Sequence, residues 1–317
     1  MRLFDKHDNG AEELVEVLGL TDDRLNFHKW APIIPMGVRD LQAVIGREAV
    51  DAIDAYYQAD SGAGSTAYDT SMREAVRLAQ QAAGMFAWLK VIPTLEAQHG
   101  TTGRGKRLGE NERGLTAAQE FKDEDNIRTM AYEAIDALVE LMDTEEFAWW
   151  TSSRVYGDLK SLLISDRETF DRYYVIGSHR LFLTLAPMIR EVQDTQIIPI
   201  ITRDRYLRMI DGDEVLRATL LEACRRPLAL LAVKKAVERL PVEVLPHGIV
   251  QVQQSATVRD KLRAEKSARD AVAASLERDA ALMLDRLAAI VAELDNLDSA
   301  TDPYIPGPTV QSKGITY

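Results

Sequence analysis

The sequence predicts a mainly α protein made of two tandem, diverged helical-bundle units, with at most a small β-hairpin and an extended C-terminal tail. Apolar residues recur at three- and four-residue spacing over long stretches, which is the helical period. Gly (18) and Pro (11) are scarce for a chain of 317 residues. An ordered series of residues also reappears in the second half at a nearly constant offset, the sign of an internal repeat.

The first long helix is expected from Ser71 to about Ile92, where Met72, Ala75, Val76, Ala79, Ala82, Ala83, Phe86 and Leu89 share a face. Ser71 and Glu74 have capping-box spacing, and Pro93 reads as a stop. A Gly-rich loop follows. The next helix is expected over Ala117 to Met142, with Ile127, Met130, Ala131, Ala134, Ile135, Leu138 and Leu141 on one face. Asp158 to Tyr174 and His179 to Val192 read as two connecting helices. The second half then gives a helix from about Glu214 to Leu240, kinked or broken at Pro227, and a charged helix from about Val258 to Leu294. Alternation of Val242, Val244, Ile249, Gln251 and Val252 around Gly248 predicts a small hairpin in the second copy. A polar loop takes its place in the first.

The repeat rests on residue matches. Ala31-Pro32 recurs 155 residues on as Ala186-Pro187, and Ile45 with Arg47 recurs 156 residues on as Ile201 with Arg203. Pro93 and His99-Gly100 recur 148 residues on as Pro241 and His247-Gly248; Asp136 with Leu138 recur 149 residues on as Asp285 with Leu287. The fall in offset places extra residues in the first copy, at Ala59 to Thr66. A competing register pairs Ile33-Ile34-Pro35 and Arg39-Asp40 with Ile197-Ile198-Pro199 and Arg203-Asp204, 164 residues on, and needs a larger insertion. The expected segments are therefore 1–30 (N-terminal), 31–143 (unit one), 144–185 (connecting helices), 186–295 (unit two) and 296–317 (arm).

Composition narrows the function. Hydrophobic residues at 46% and charged residues at 28% are ordinary for a folded chain. No apolar run is long enough to span a bilayer and Met1 to Gly10 is polar, so a soluble protein made in the cytoplasm is expected. The net charge of -12 disfavours a phosphate backbone. Arg203, Arg205 and Arg208, and the bases from Arg259 to Arg269, are interleaved with acids, as on a solvated helix face. Cys224 has no partner and reads as a core residue.

Candidate chemistry is thin. Gly100-Thr101-Thr102-Gly103-Arg104-Gly105-Lys106-Arg107 follows the spacing of a phosphate-cradling loop up to its last position, where magnesium needs a hydroxyl and the chain has Arg107. It reads as a flexible or partner-binding loop. His7, His28, His99, His179 and His247 show no metal-ligand spacing, and the duplicated His99 and His247 read as turn residues. Asp123-Glu124-Asp125 and Glu145-Glu146 read as solvated helix faces or ends. No nucleophile elbow or dinucleotide fingerprint occurs. No catalytic, metal or cofactor site is expected. Trp149-Trp150 is a candidate interface anchor, with burial of half the pair inside the subunit as the alternative. Asn296 to Tyr317 carries Pro303, Pro306 and Pro308 and should run extended. Tyr304, Ile305, Val310, Ile315 and Tyr317 give it the apolar anchors of an arm that docks on a neighbour, chiefly through Tyr304, Ile305, Ile315 and Tyr317.

Phe147, Trp150, Ser153, Tyr156, Ile164, Phe170, Tyr174, Ile176, Ser178, Phe182 and Leu185, with the opening Phe4-Asp5-Lys6-His7-Asp8-Asn9-Gly10, resemble the pattern of an uncharacterised family from Bacteroides-type bacteria and their prophages. Leu41 to Ile53 and Ile197 to Met209 resemble the entry-helix pattern of phage head–tail connector adaptors, with Thr202 where that pattern has glycine. These resemblances imply a non-enzymatic structural protein of a virion or phage-like particle, assembled in the bacterial cytoplasm. As a head–tail adaptor or neck ring subunit its partners are itself, as a homo-oligomeric ring, and neighbouring portal or tail proteins, without sequence-specific nucleic-acid binding and without a membrane. The alternatives are a component of a phage-tail-like contractile injection system, or a cytoplasmic helical scaffold or regulatory protein.

Overall fold

The computed structural model describes residues 3–19, 26–60, 62–100, 103–106, 116–240, 250–252, 261–263 and 266–300, and these are overwhelmingly helical. The first unit opens with α1 (Gly10–Leu18), a short α2 (Phe27–Trp30), α3 (Ile34–Ile45) and α4 (Arg47–Ala59). Ala31-Pro32 separates α2 from α3, and Gly46 separates α3 from α4 with φ 87 and ψ 159, backbone angles that only glycine adopts without strain. The central α5 (Ala67–Glu96) starts four residues before the expected Ser71, because Thr66 and Asp69 cap it reciprocally: the Thr66 hydroxyl donates to Asp69 (2.6 Å) and accepts from the Asp69 amide (3.1 Å). Pro93 lies inside its last turn rather than ending it; a proline there removes one ladder bond near a terminus that is already short of partners.

Next come β1 (Ala97–Gly100) and β2 (Gly103–Lys106), an antiparallel pair with His99 opposite Arg104 and Gly100 opposite Gly103. The expected loop of the first copy is thus partly a hairpin. Its residues are polar and glycine-rich, so main-chain pairing forms it without the apolar alternation that would announce it. A capping box of Thr116 and Gln119 starts α6 (Ala117–Glu145).

The connecting stretch is four pieces: α7 (Ala148–Thr151), α8 (Arg154–Lys160), α9 (Arg167–Asp171) and α10 (His179–Val192). The single helix expected over Asp158 to Tyr174 is therefore corrected to α8 and α9, and Asp166 caps the latter by accepting from the Thr169 amide at 2.7 Å. A π-turn at Gln193–Ile197 joins α10 to α11 (Ile198–Ile201), followed by α12 (Arg203–Ile210) and α13 (Glu214–Leu216). A second π-turn, Arg217–Leu221, leads into α14 (Glu222–Arg239), which runs through Pro227 without a break. β3 (Val250–Val252) pairs with β4 (Lys261–Arg263), and α15 (Lys266–Ala300) closes the unit. This hairpin does not turn at Gly248: its second strand takes residues expected in the charged helix, which starts at Lys266. Residues 241–249 lie outside the described residues. The helix also continues through Asn296, so the expected extended arm loses its first five residues to α15. Tyr304, Ile305, Ile315 and Tyr317 lie outside the described residues.

Both units share one order: an entry helix, a bend, a second helix, a long central helix, a hairpin and a long closing helix. Thr202 bends the chain between α11 and α12 with φ 75 and ψ 152, nearly the angles of Gly46. That fixes the 156-residue register and excludes the 164-residue one, which would place Arg39, in the middle of α3, opposite the first residue of α12. Upstream, buried Ile34, Gly37 and Val38 match buried Ile189, Val192 and Gln193 at 155; downstream, Leu41 and Ile45 match Ile197 and Ile201 at 156. The extra residue of the second copy falls inside the Gln193–Ile197 π-turn, the helical geometry that accommodates one more residue per turn. The first copy's own extra residues lie in α4, 13 residues against 8 for α12, and in the loop after it.

Two cores result. The first gathers Leu3, Phe4, Leu14, Leu18 and Trp30 with α3–α6 and ends on Phe147 and Trp150. The second runs from Leu159 to Val291. The N-terminal segment is therefore part of unit one, and the connecting helices are divided between the units rather than standing apart. Cys224 is buried in the second core, and that burial pushes its thiol up to about 12, leaving it unreactive.

Candidate functional site

The polar residues that matter most sit where the units meet. Asp136 on α6 accepts from the Arg180 amide (2.7 Å) and the Ser178 hydroxyl (3.1 Å), so a carboxylate of unit one caps the N-terminus of α10 in unit two. The end charge of a helix favours an anion there. The Arg180 guanidinium lies 3.8 Å from the centroid of the Tyr132 ring, a cation–π contact across the same seam. Glu48 accepts from the Arg154 amide at 3.1 Å, while Val155 and Leu183 pack against both cores.

Beside this seam lies a cavity of about 200 Å³ lined by Asp143, Lys160, Ser165, Glu168, His179 and apolar neighbours. Trp150 is fully buried and donates its indole N–H to Asp143 at 2.7 Å. Partial loss of water raises the Asp143 carboxyl above its ordinary range, opposed by that hydrogen bond. His179 is buried with Nε2 3.7 Å from Glu168, and no hydrogen bond reaches that nitrogen among the described residues. The Ser165 hydroxyl donates to Asp166 (3.1 Å). The serine, histidine and acids thus share a wall but form no relay from hydroxyl to imidazole to carboxylate, the geometry that nucleophilic catalysis needs.

Trp150 is corrected from docking residue to core residue. Trp149 is half-buried and stacked on Phe147, centroids 5.1 Å apart at 12°, which leaves one edge accessible. The Gly100–Arg107 stretch builds the two arms of a hairpin, and the helix after it begins at Ala117, so Lys106 is not at a helix N-terminus as a phosphate cradle requires. Among the described residues no group of His, Cys, Asp and Glu is arranged to hold a metal, and no helix is long and apolar enough to cross a membrane. His7 and His28 are exposed, and His247 lies outside the described residues. Arg205, one of the clustered bases, is buried and paired with Asp295 at 2.6 Å.

A second polar cluster was not anticipated from the sequence. Leu3, Asp5 and Asp8 all adopt positive φ (63, 64 and 56), and the segment is bolted down. The Leu3 amide donates to Asp54 (2.8 Å), the Asp5 amide to Glu13 (2.7 Å), the Lys6 amide to the Tyr57 hydroxyl (2.9 Å), and Gln80 to the Leu3 carbonyl (2.7 Å). The Tyr57 hydroxyl in turn donates to Glu13 at 2.6 Å; burial first, then that bond, push its pKa upward. These bonds hold a strained strap over a cleft of about 550 Å³ whose floor includes Asp60 and Arg73. Arg73 pairs with Asp60 at 2.8 Å and holds that carboxyl at about 2. The only sequence signal here is the polar run Asp5 to Gly10, which carries no spacing that predicts a strap.

A family of unknown function, DUF6712, matches residues 41–159 and 200–292, about two-thirds of the chain. The chain belongs to this family. Its two matched stretches fall on the two units, α3 to α8 and α11 to α15. No curated protein and no solved structure matches the chain.

Proposed function

We propose that the chain is a non-enzymatic structural protein of a phage or phage-like particle, acting as a ring subunit at a head–tail adaptor or neck position. The observation that carries the reading is the structural equivalence of Leu41 to Ile53 and Ile197 to Met209, the two segments that resemble the adaptor entry-helix pattern. Both form helix, positive-φ bend, helix, at Gly46 in one unit and Thr202 in the other. The polar side chains at the seam support the same reading, because they are spent on holding helices: Asp136 caps α10, Asp143 takes the Trp150 N–H, and Gln193 accepts from the Leu163 amide at 2.8 Å. The net charge of -12 suits a wall past which DNA slides without adhering.

The test is to induce particle production in the encoding bacterium, purify particles on a density gradient, and quantify the chain by mass spectrometry against the major shell protein. A fixed, small integer number of copies per particle is expected. A chain confined to the soluble fraction, with none in the particles, overturns the reading.

A further inference from the structure

The closing helices of the two units are equivalent, yet their outer faces differ in what covers them. In α6, Ile127, Ala131, Leu138 and Met142 are buried; in α15 the residues 149 positions on, Leu276, Ala280, Leu287 and Val291, are buried in the same stripe. Each closing helix therefore lies on its own central helix in the same way. The opposite side of α6 is occupied by α10 of the next unit through Asp136 and Tyr132. The same side of α15 carries Asp285, the counterpart of Asp136, together with Ala281, Leu282, Ala288 and Ala289, all exposed, Leu282 at 69%. Asp285 has no partner among the described residues. This is an apolar helix face around one free carboxylate, facing nothing where its counterpart faces a helix N-terminus.

We infer that the outer face of α15 docks a second copy of this chain, which seats the entry region of its first unit, α2 and the start of α3, there. The contact repeats between chains the unit-one to unit-two seam found within one chain. The argument is continuity: the entry region of unit one occupies the place in the repeat that the first half of α10 occupies in unit two, as Ala31-Pro32 and Ala186-Pro187 show, so it is the segment built to meet a closing helix. Its exposed side is suitably composed. Met36 is 49% exposed, and His28 and Lys29 are exposed beside it, so an apolar side chain and a cation stand ready for Leu282 and Asp285. A contact between two different surfaces of identical chains does not close at two subunits; it propagates into a ring or an open filament. The inference rests on the assembly reading above and supplies its contact surface.

Two single variants of the full chain, Leu282→Glu on the α15 face and Met36→Glu on the entry face, test it by sedimentation velocity and mass photometry. Both sites are exposed, so unchanged helical content and thermal midpoint check folding. The wild-type chain is expected to form species larger than dimers, and each variant alone to associate at least tenfold more weakly. Mixed in equal amounts, the two variants are expected to give a heterodimer and nothing larger, because each retains one intact face. Three results overturn the inference: a wild-type chain that stays monomeric, a Leu282→Glu chain that assembles as the wild type does, or a Met36→Glu chain that assembles normally while Leu282→Glu does not, which would give the α15 face to a different occupant. In each case the particle quantification still judges the assembly reading by itself, since a chain can enter particles through another surface.

Discussion

The two units solve the same packing problem with different residues at the contact between entry helix and central helix. In unit one a Cβ added at Gly37 would lie 2.1 Å from the Ala83 carbonyl oxygen and 2.9 Å from the Ala87 nitrogen, so α3 crosses α5 backbone against backbone. In unit two the same place holds Val192, fully buried, followed by the π-turn and by Gln193, whose side chain is 99% buried and reaches the loop before α9. A valine between two helices holds them apart, and the widened turn with its inserted amide fills the space. Duplication has kept the topology while changing the interhelical spacing. The lesson is that one extra residue in a helix is absorbed where a polar side chain can enter the gap.

The largest expected effect breaks this comparison at its tightest point. Gly37→Ala has no room, because the obstructing atoms are main chain and cannot swing away; a cost of about 3 kcal/mol is expected from overpacking. Val192→Ala should cost less, about 1–2 kcal/mol, from the lost methyl groups and the small cavity they leave. Urea denaturation of the two variants measures both, and a Gly37→Ala chain as stable as the wild type would show that the helices do not touch there.

The bends offer a second comparison. Gly46 and Thr202 hold nearly identical angles, but a β-branched residue at φ 75 and ψ 152 carries strain of about 1–3 kcal/mol. Thr202→Gly should therefore stabilise the chain by about 1 kcal/mol after the entropy lost by a glycine is subtracted. The reverse exchange, Gly46→Thr, should destabilise by more than that gain, since its Cβ also meets Val155 Cγ2 at 3.0 Å. Equal midpoints for Thr202→Gly and the wild type would mean that the bend is relaxed.

Much of this was legible in the sequence, and the failures have causes. The long helices followed from apolar spacing, and the duplication from offsets that the π-turn explains to the residue. Pro227 and Pro187 misled because a proline breaks a helix only when packing does not hold the flanking turns; the same Ala-Pro pair interrupts unit one at Ala31-Pro32 and is carried inside α10 at Ala186-Pro187. Both hairpins escaped because their strands, Gln98-His99 against Gly103-Arg104 and Lys261-Leu262-Arg263, have no apolar alternation. Trp150 was half-legible: an aromatic pair announces burial or docking without saying which, and the partner that decides it, Asp143, is recognisable only after α6 has turned it inward. The seam through Asp136 was invisible, because a long-range helix cap leaves no local pattern.

The smallest effect separates the units by pH. Glu191, at the end of α10, accepts from Lys235 (2.7 Å) and from Arg239 (2.6 and 3.2 Å) on α14, and Arg239 first, then Lys235, holds its carboxyl at about 2. The residue 155 positions earlier is Met36, so unit one has no such clamp at its equivalent site. A carboxyl whose folded pKa lies below its unfolded value of 4.5 adds stability that is complete above about pH 4.5 and is lost as pH falls through the folded value. The difference in thermal midpoint between the wild type and Glu191→Gln should accordingly be constant from pH 7 to about 5, shrink below that, and vanish near pH 2. Because the three groups are partly exposed, the difference should be small and should fall further with added salt. A difference that persists unchanged to pH 2.5 would assign the effect of the substitution to packing at α10, and the absence of any difference at pH 7 would show that the clamp does not bind unit two together.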